Sequence, residues 1–256
     1  MKRSTTLSKR RLLVQGCSIL CLLAVWQWLS MTLPHILIAP PLDTVLVFID
    51  MTKSGELIKQ MAISGSRMMT GLLIGIPSAI TAGILAGIFP ALYDAMRPII
   101  SLLLGIPAII LVVLAMVWFG TGSAVPIFVV ALLVFPGVYL NTADGWRSID
   151  QHLLEMAKIY KSSAMNTLRH IIIPGLTIPI STAISLAAGS SVRITIMAEL
   201  LGANQGIGSS LALARVNINT PKVFAWTLVS VIVIILNDQL IIQPIKKYSS
   251  RWNNEE

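Results

Sequence analysis

The chain has 256 residues, 55% of them hydrophobic and 12% charged, with a mean hydropathy of +0.81 and a formal net charge of +8. A soluble domain carries about a quarter charged residues, so this composition excludes an ordinary soluble enzyme or binding module. Apolar runs of about eighteen residues or more recur, the length at which a helix crosses a bilayer. No stretch alternates like the strands of a membrane barrel. The reading is an all-α polytopic protein whose first partner is the lipid bilayer. Its basic excess belongs to the flanks of the spans rather than to nucleic acid.

Lys2, Arg3, Lys9, Arg10 and Arg11 precede the first expected span, at about residues 12–33. Trp26 and Trp28 stand where a secretory leader would have a small-residue cleavage site. The span therefore reads as uncleaved, with both rings near the far interface. Cys17 and Cys21 share one helix face, a poor geometry for a disulfide. Ala39-Pro40-Pro41 stops any helix. Asp43 is expected to cap a short amphipathic helix through about Met51 that lies on the membrane surface.

The second span, at about 66–90, repeats a small residue every fourth position: Gly71, Gly75, Ala79, Gly83 and Gly87. Such a stripe admits a neighbouring helix at close range. The third span, at about 95–118, contains Pro107, which removes a backbone hydrogen bond. The fourth runs over about 123–141. A charged segment, 142–170, leads to the fifth span at about 172–198. A polar segment with Gly202, Gly206 and Gly208 leads to the sixth, at about 223–245.

Six spans put both termini on one side. The flanks on that side hold thirteen Lys and Arg, in the N-terminal tail, at Arg97, in the 142–170 segment and in the tail from Lys246 onward. The opposite loops hold four: Lys53, Lys59, Arg215 and Lys222. The expectation is that the termini and the 142–170 segment are cytoplasmic.

No Gly-x-x-x-x-Gly-Lys-Ser/Thr loop occurs, so the chain is not itself a Walker-type ATPase. His35, His152 and His170 are scattered, and no His or carboxylate cluster suggests a metal site. No nucleophile motif is recognisable. The chain is therefore read as a non-enzyme, with no catalytic residues and no cofactor of its own.

Between the fourth and fifth spans lies Glu155-Met156-Ala157-Lys158-Ile159-Tyr160-Lys161. Leu153, Leu154, Ala157 and Tyr160 give a helix one apolar side, with Glu155, Lys158 and Lys161 off it. Such a helix either lies on the membrane or fits a groove on a soluble partner.

This segment resembles the coupling loop of ABC importer permeases. Glu155 and Ala157 match the Glu-Ala-Ala motif, Met156 replaces its first Ala, and Ile171-Ile172-Ile173-Pro174 matches its ending nineteen positions on. The motif's Gly position falls on Lys161. A left-handed Lys there costs about 1 kcal/mol relative to Gly, unless the turn moves to Ser162-Ser163. Further likenesses are Ile38-Ala39-Pro40-Pro41, Trp118-Phe119-Gly120-Thr121-Gly122 and Met197-Ala198-Glu199-Leu200-Leu201-Gly202 with Gly206-Ile207-Gly208. Together they resemble permeases of the nitrate, sulfonate, taurine and bicarbonate group, from about Ile38 onward.

The resemblance implies a type I importer permease in the inner membrane. It implies two permease copies, two ATPase subunits that carry ATP and Mg, and a periplasmic or lipid-anchored solute-binding protein. The coupling residues would be Glu155, Met156, Ala157, Lys158, Tyr160, Lys161, Ser162 and Ser163. The solute would be a small sulfonate- or nitrate-like anion or a vitamin precursor. A secondary transporter or channel without an ATPase is the alternative.

Charge at membrane depth is expensive and faces protein, water or solute. Arg193 and Glu199 are the candidates for the substrate path. They are about 600° apart on a regular helix, 240° net, so they do not share a face.

Overall fold

A computed structural model describes residues 3–245. Met1, Lys2 and the predicted tail from Lys246 onward lie outside the described residues, as do the side chains of 3–13, 15 and 164. The described elements are helical throughout.

In chain order, α1 is Arg3–Thr32, α2 Pro41–Lys53, α3 Glu56–Ile88, α4 Pro90–Gly105, α5 Ala108–Phe119 and α6 Ala124–Arg147. After them come α7, Gln151–Ile159, and α8, Ala164–Thr167, which passes through a π-helical turn, Leu168–Ile172, into α9, Ile173–Gly202. Then come α10, Ile207–Val216, and α11, Thr220–Asn237, which ends in a second π-helical turn, Asp238–Ile242.

Four helical stretches among the described residues are long and apolar enough to cross a membrane: Glu56–Ile88, Ala124–Arg147, Met165–Gly202 and Thr220–Ile245. The expected third span is not one helix. α4 and α5 meet at 100°, because Pro107 has no N–H for the ladder and drives Ile106 into an extended conformation (φ −76°, ψ 127°). Counted as one broken span, the pair makes five. The first expected span corresponds to the shorter apolar stretch Gly16–Thr32.

Helix ends also differ from expectation. The fourth span continues six residues beyond 141, to Arg147, and residues 165–170 already belong to the helix of the fifth. The charged segment outside the spans therefore shrinks to roughly 148–164. Asp43 does not cap α2. Pro40 holds the N-cap position without a side-chain bond, Pro41 opens the helix, and Asp43 sits in the first turn, where its charge meets the positive helix end.

The chain packs as two compact units. One comprises the N-terminal part to Ile58 and Ser210–Val229. Within it the Trp26 indole donates to Ala39 O at 3.0 Å and stacks on Phe224 at 5.6 Å between centroids. Trp26 is thus a packing residue, whereas Trp28 is exposed. Thr220 Oγ1 donates to Ile36 O at 2.6 Å, and Lys222 pairs with Glu56 at 2.9 Å.

The other unit comprises Lys59–Ser209 and the chain from Ser230. Its core joins α3, α4, α6 and α9 through Leu72, Ala79, Ile100, Val134, Val138, Tyr139 and Ala183. A second cluster, Val112, Ala115, Val125, Val129 and Ala198, ties α5 to α6 and α9. The glycine stripe of α3 lies on α6. A Cβ at Gly75 would stand 2.8 Å from Ala131 O, and one at Gly87 would stand 2.5 Å from the Trp146 ring.

These contacts separate two glycines of one helix. A Cβ at Gly65 would meet nothing within 4 Å, so Gly65→Ala should raise the thermal midpoint in detergent, by the helix-propensity gain of about 1 kcal/mol. Gly75→Ala should lower it, because the obstacle is Ala131 backbone, which cannot rotate away. Equal effects of the two substitutions would contradict this packing.

Candidate functional site

α7 is built to stand clear of the bundle. Asp150 opens it as N-cap, its Oδ1 accepting from His152 N at 2.8 Å. At the other end Lys161 N donates to Lys158 O at 3.0 Å and Ser162 N to Ala157 O at 2.8 Å. This is the paired reversal of a Schellman ending, which needs a left-handed residue between its two bonds. Lys161 supplies it at φ 51°. The turn is therefore at Lys161 and not at Ser162-Ser163. Ser163 starts the next helix instead, its Oγ accepting from Asn166 N at 3.3 Å.

No residue of α7 is buried. Leu153, Met156 and Tyr160, one stripe at helical spacing, are 47%, 50% and 78% exposed. Leu154 and Ala157 are half-buried, while Glu155, Lys158, Lys161, Ser162 and Ser163 are exposed. Glu155 lies 4.0 Å from the His152 ring. Leu153, Met156, Ala157 and Tyr160 face Asn166, Thr167 and His170 across an open groove of about 370 Å³. A mostly apolar groove with a few polar groups along it is a shape that receives a helix or loop of a partner.

The root of this segment is tied down by residues that sequence reading missed. Tyr93 of α4 donates to Asp144 of α6 at 3.0 Å, and the Arg147 guanidinium lies 4.4 Å from the Tyr93 ring centroid. Asp144 and Arg147 at i and i+3 on one helix were the available signal. Nothing local pointed to Tyr93.

Of the two residues expected on the path, Glu199 is enclosed by its hydrogen-bond partners. It is fully buried. Arg67 Nη1 donates to its Oε1 at 2.8 Å, Ser64 Oγ to its Oε2 at 2.7 Å and Gly208 N to the same oxygen at 3.2 Å. Arg67 also donates to Gln205 O at 2.6 Å and to Ser123 Oγ at 3.1 Å. Ser64 accepts from Ile207 N at 2.9 Å, and Gln60 accepts from Gly206 N at 2.6 Å.

The pair thus joins α3, the start of α6, the end of α9 and the loop after it. Gly206 sits at φ 105°, and a Cβ on it would strike the Glu199 carboxylate. One on Gly208 would strike Ile196 O. These two glycines are required by the charge they cover. Arg193, by contrast, is exposed, and its bond runs from Nη2 to Gly189 O of its own helix at 3.3 Å. Among the described residues no group of three or more His, Cys, Asp or Glu could hold a metal ion.

Known proteins share this outline. The family model of the binding-protein-dependent transport system inner membrane component matches residues 75–241. The chain is similar to the putative aliphatic sulfonates transport permease protein SsuC of Escherichia coli strain K12, 32% identical over 238 residues, 91% of this chain and 89% of that protein. It is also similar to the taurine transport system permease protein TauC of the same organism, 28% identical over 246 residues, 91% and 87% of the two chains. Among solved structures, a chain of the MetNI methionine ABC transporter superposes with a TM-score of 0.57 at 18% identity, covering 74% of this chain and 94% of that one.

Two outcomes are expected. Glu199→Ala leaves a buried guanidinium unpaired and should destabilise the folded chain by about 3–5 kcal/mol, whereas Arg67→Met with Glu199→Leu should cost much less than that. Thermal unfolding in detergent decides, and a Glu199→Ala cost within the ~0.5 kcal/mol of a surface change would refute the assignment. Lys161→Gly relieves about 1 kcal/mol of left-handed strain. It should slow amide exchange at Tyr160–Ser162 about fivefold, and unchanged exchange would show the turn to be unstrained.

Proposed function

We infer the function from a premise the comparisons supply: this chain belongs to the family of binding-protein-dependent transport system inner membrane components. It is a multi-pass membrane permease of an ABC importer, and ATP is hydrolysed by a separate subunit. Its partners are an ATPase and a solute-binding protein. The finer statements that follow are our proposal.

α7 is the docking helix for the ATPase. The observation that carries this reading is the stripe Leu153, Met156, Tyr160, exposed on a helix with no fully buried residue. Exposed apolar surface of this kind marks a binding face. Glu155, Lys158 and Lys161 flank the stripe and set its register. The groove toward Asn166 and His170 receives the partner's side chains. The distribution of Lys and Arg supports a cytoplasmic α7 and cytoplasmic termini.

Two copies form the pathway, since one chain supplies few spans for a closed passage. ATP and Mg bind to the ATPase pair. ATP-driven closure moves the two α7 helices, and the Tyr93–Asp144–Arg147 tie passes that movement to α4 and α6. The spans then alternate access between the two sides. Whether one importer contains two identical permeases is answered by cross-linking in native membranes. The relatives named for aliphatic sulfonates and taurine support a small sulfonate as solute, delivered by the binding protein.

Tyr160→Asp and Ala157→Trp should each reduce co-purification of the ATPase at least tenfold while the chain still inserts and extracts as a folded species. Charge reversal at Glu155 should weaken it less, because an exposed charge contributes little by itself. Undiminished ATPase binding by Tyr160→Asp would refute the docking face.

A further inference from the structure

Two arginines lie deep in the helices of the larger unit, and they differ in one respect. Arg67 is buried against Glu199. Arg193 is exposed, and no carboxylate among the described residues pairs with it. It sits nine residues before Gly202, about 13 Å along the axis at 1.5 Å per residue. It lies within the apolar stretch Met165–Gly202, which is long enough to cross a hydrocarbon core about 30 Å thick. A guanidinium there that met only lipid would be strongly disfavoured. It therefore faces water, a second chain or a solute.

The face that carries it is continuous. Ile178, Thr182, Leu186, Arg193, Met197 and Leu201 are exposed at intervals of four or seven along α9, which places them on one side of the helix. The opposite side, with Ala183, Ala187, Val192 and Ala198, is buried. The stripe is apolar apart from Thr182 and Arg193. A long, mostly apolar lining with one fixed cation along it admits an amphipathic anion. The guanidinium offers two parallel N–H donors to an oxyanion, and the apolar side chains accept the alkyl part.

We propose that Arg193 is the anion-holding residue of the translocation path, receiving the sulfonate group, or a like oxyanion, of the imported solute within the span. This rests on the importer reading above and specifies its solute contact. The rival partner is Asp238 of a second copy. Asp238 is exposed on the π-helical turn of α11, and its neighbour Asn237 donates to Ala188 O, five residues before Arg193.

The test uses the whole importer, permease with ATPase and binding protein, reconstituted in vesicles and offered radiolabelled ethanesulfonate. Arg193→Gln should assemble and keep binding-protein-stimulated ATP hydrolysis within about twofold, while import falls at least tenfold. Arg193→Lys keeps the charge but not the two-donor fork. It should raise the apparent KM several-fold with ATP hydrolysis unchanged, and it decides the matter if Arg193→Gln fails to assemble.

Unchanged import by both variants would overturn the proposal. So would loss of import in Asp238→Asn that the exchange Arg193→Asp with Asp238→Arg restores, since the two residues would then form a pair between copies. A wild-type complex that holds its ATPase yet imports no ethanesulfonate, nitrate or sulfate overturns the anion assignment and leaves the permease reading standing. Failure of the wild-type chain to bind any ATPase would overturn the permease reading itself.

Discussion

A guanidinium and a carboxylate carried into the membrane by their helices must meet, or each remains a buried charge without compensation. Arg67 and Glu199 meet at 2.8 Å with neither exposed, and the surrounding chain is arranged to let them. Ser64, Ser123, Gly208 N and Gln205 O use their remaining bonding capacity. Gly206 and Gly208 lack side chains because the carboxylate and the α9 backbone occupy that space. A loop that would otherwise be free to wander is thereby pinned to α3. The end of the larger unit that holds Gly122 N on Gly202 O at 2.8 Å is correspondingly stiff.

Away from that node, close approach takes over from charge. Helices in lipid gain little from burying apolar surface against one another, so contact depends on shape. The α3 glycines let the backbone of α6 come within van der Waals range, and Gly145 does the same for Pro179 of α9. α6 thus touches helices on both sides, and its far end carries Asp144 and Arg147, from which the exposed α7 is suspended. α7 is thus rooted on a helix that is packed from two sides.

Composition, apolar run length and turn chemistry by themselves determined the class of this protein, the close-packing stripe on α3 and the location of α7. These follow from local rules: bilayer thickness sets run length, and helical period sets which residues share a face. The motif left the turn open between Lys161 and Ser162-Ser163, because a lone Lys carries no sign of positive φ, and the structure places it at Lys161.

Tertiary structure decided what depends on partners distant in sequence. Glu199 and Arg193 look alike in the sequence, two charges near one end of one span. Only the fold shows that Glu199 is closed off by Arg67, 132 positions away, while Arg193 is left open. The same holds for Tyr93 with Asp144 and for Trp26 with Ala39 and Phe224. The 100° break at Pro107 belongs here too. A proline inside an apolar run is compatible with a kinked span or a broken one, and only the packing of α5 on Val125 and Val129 selects the break. A charge's partner and a helix's course are both set by what lies across the bundle, which local sequence does not encode.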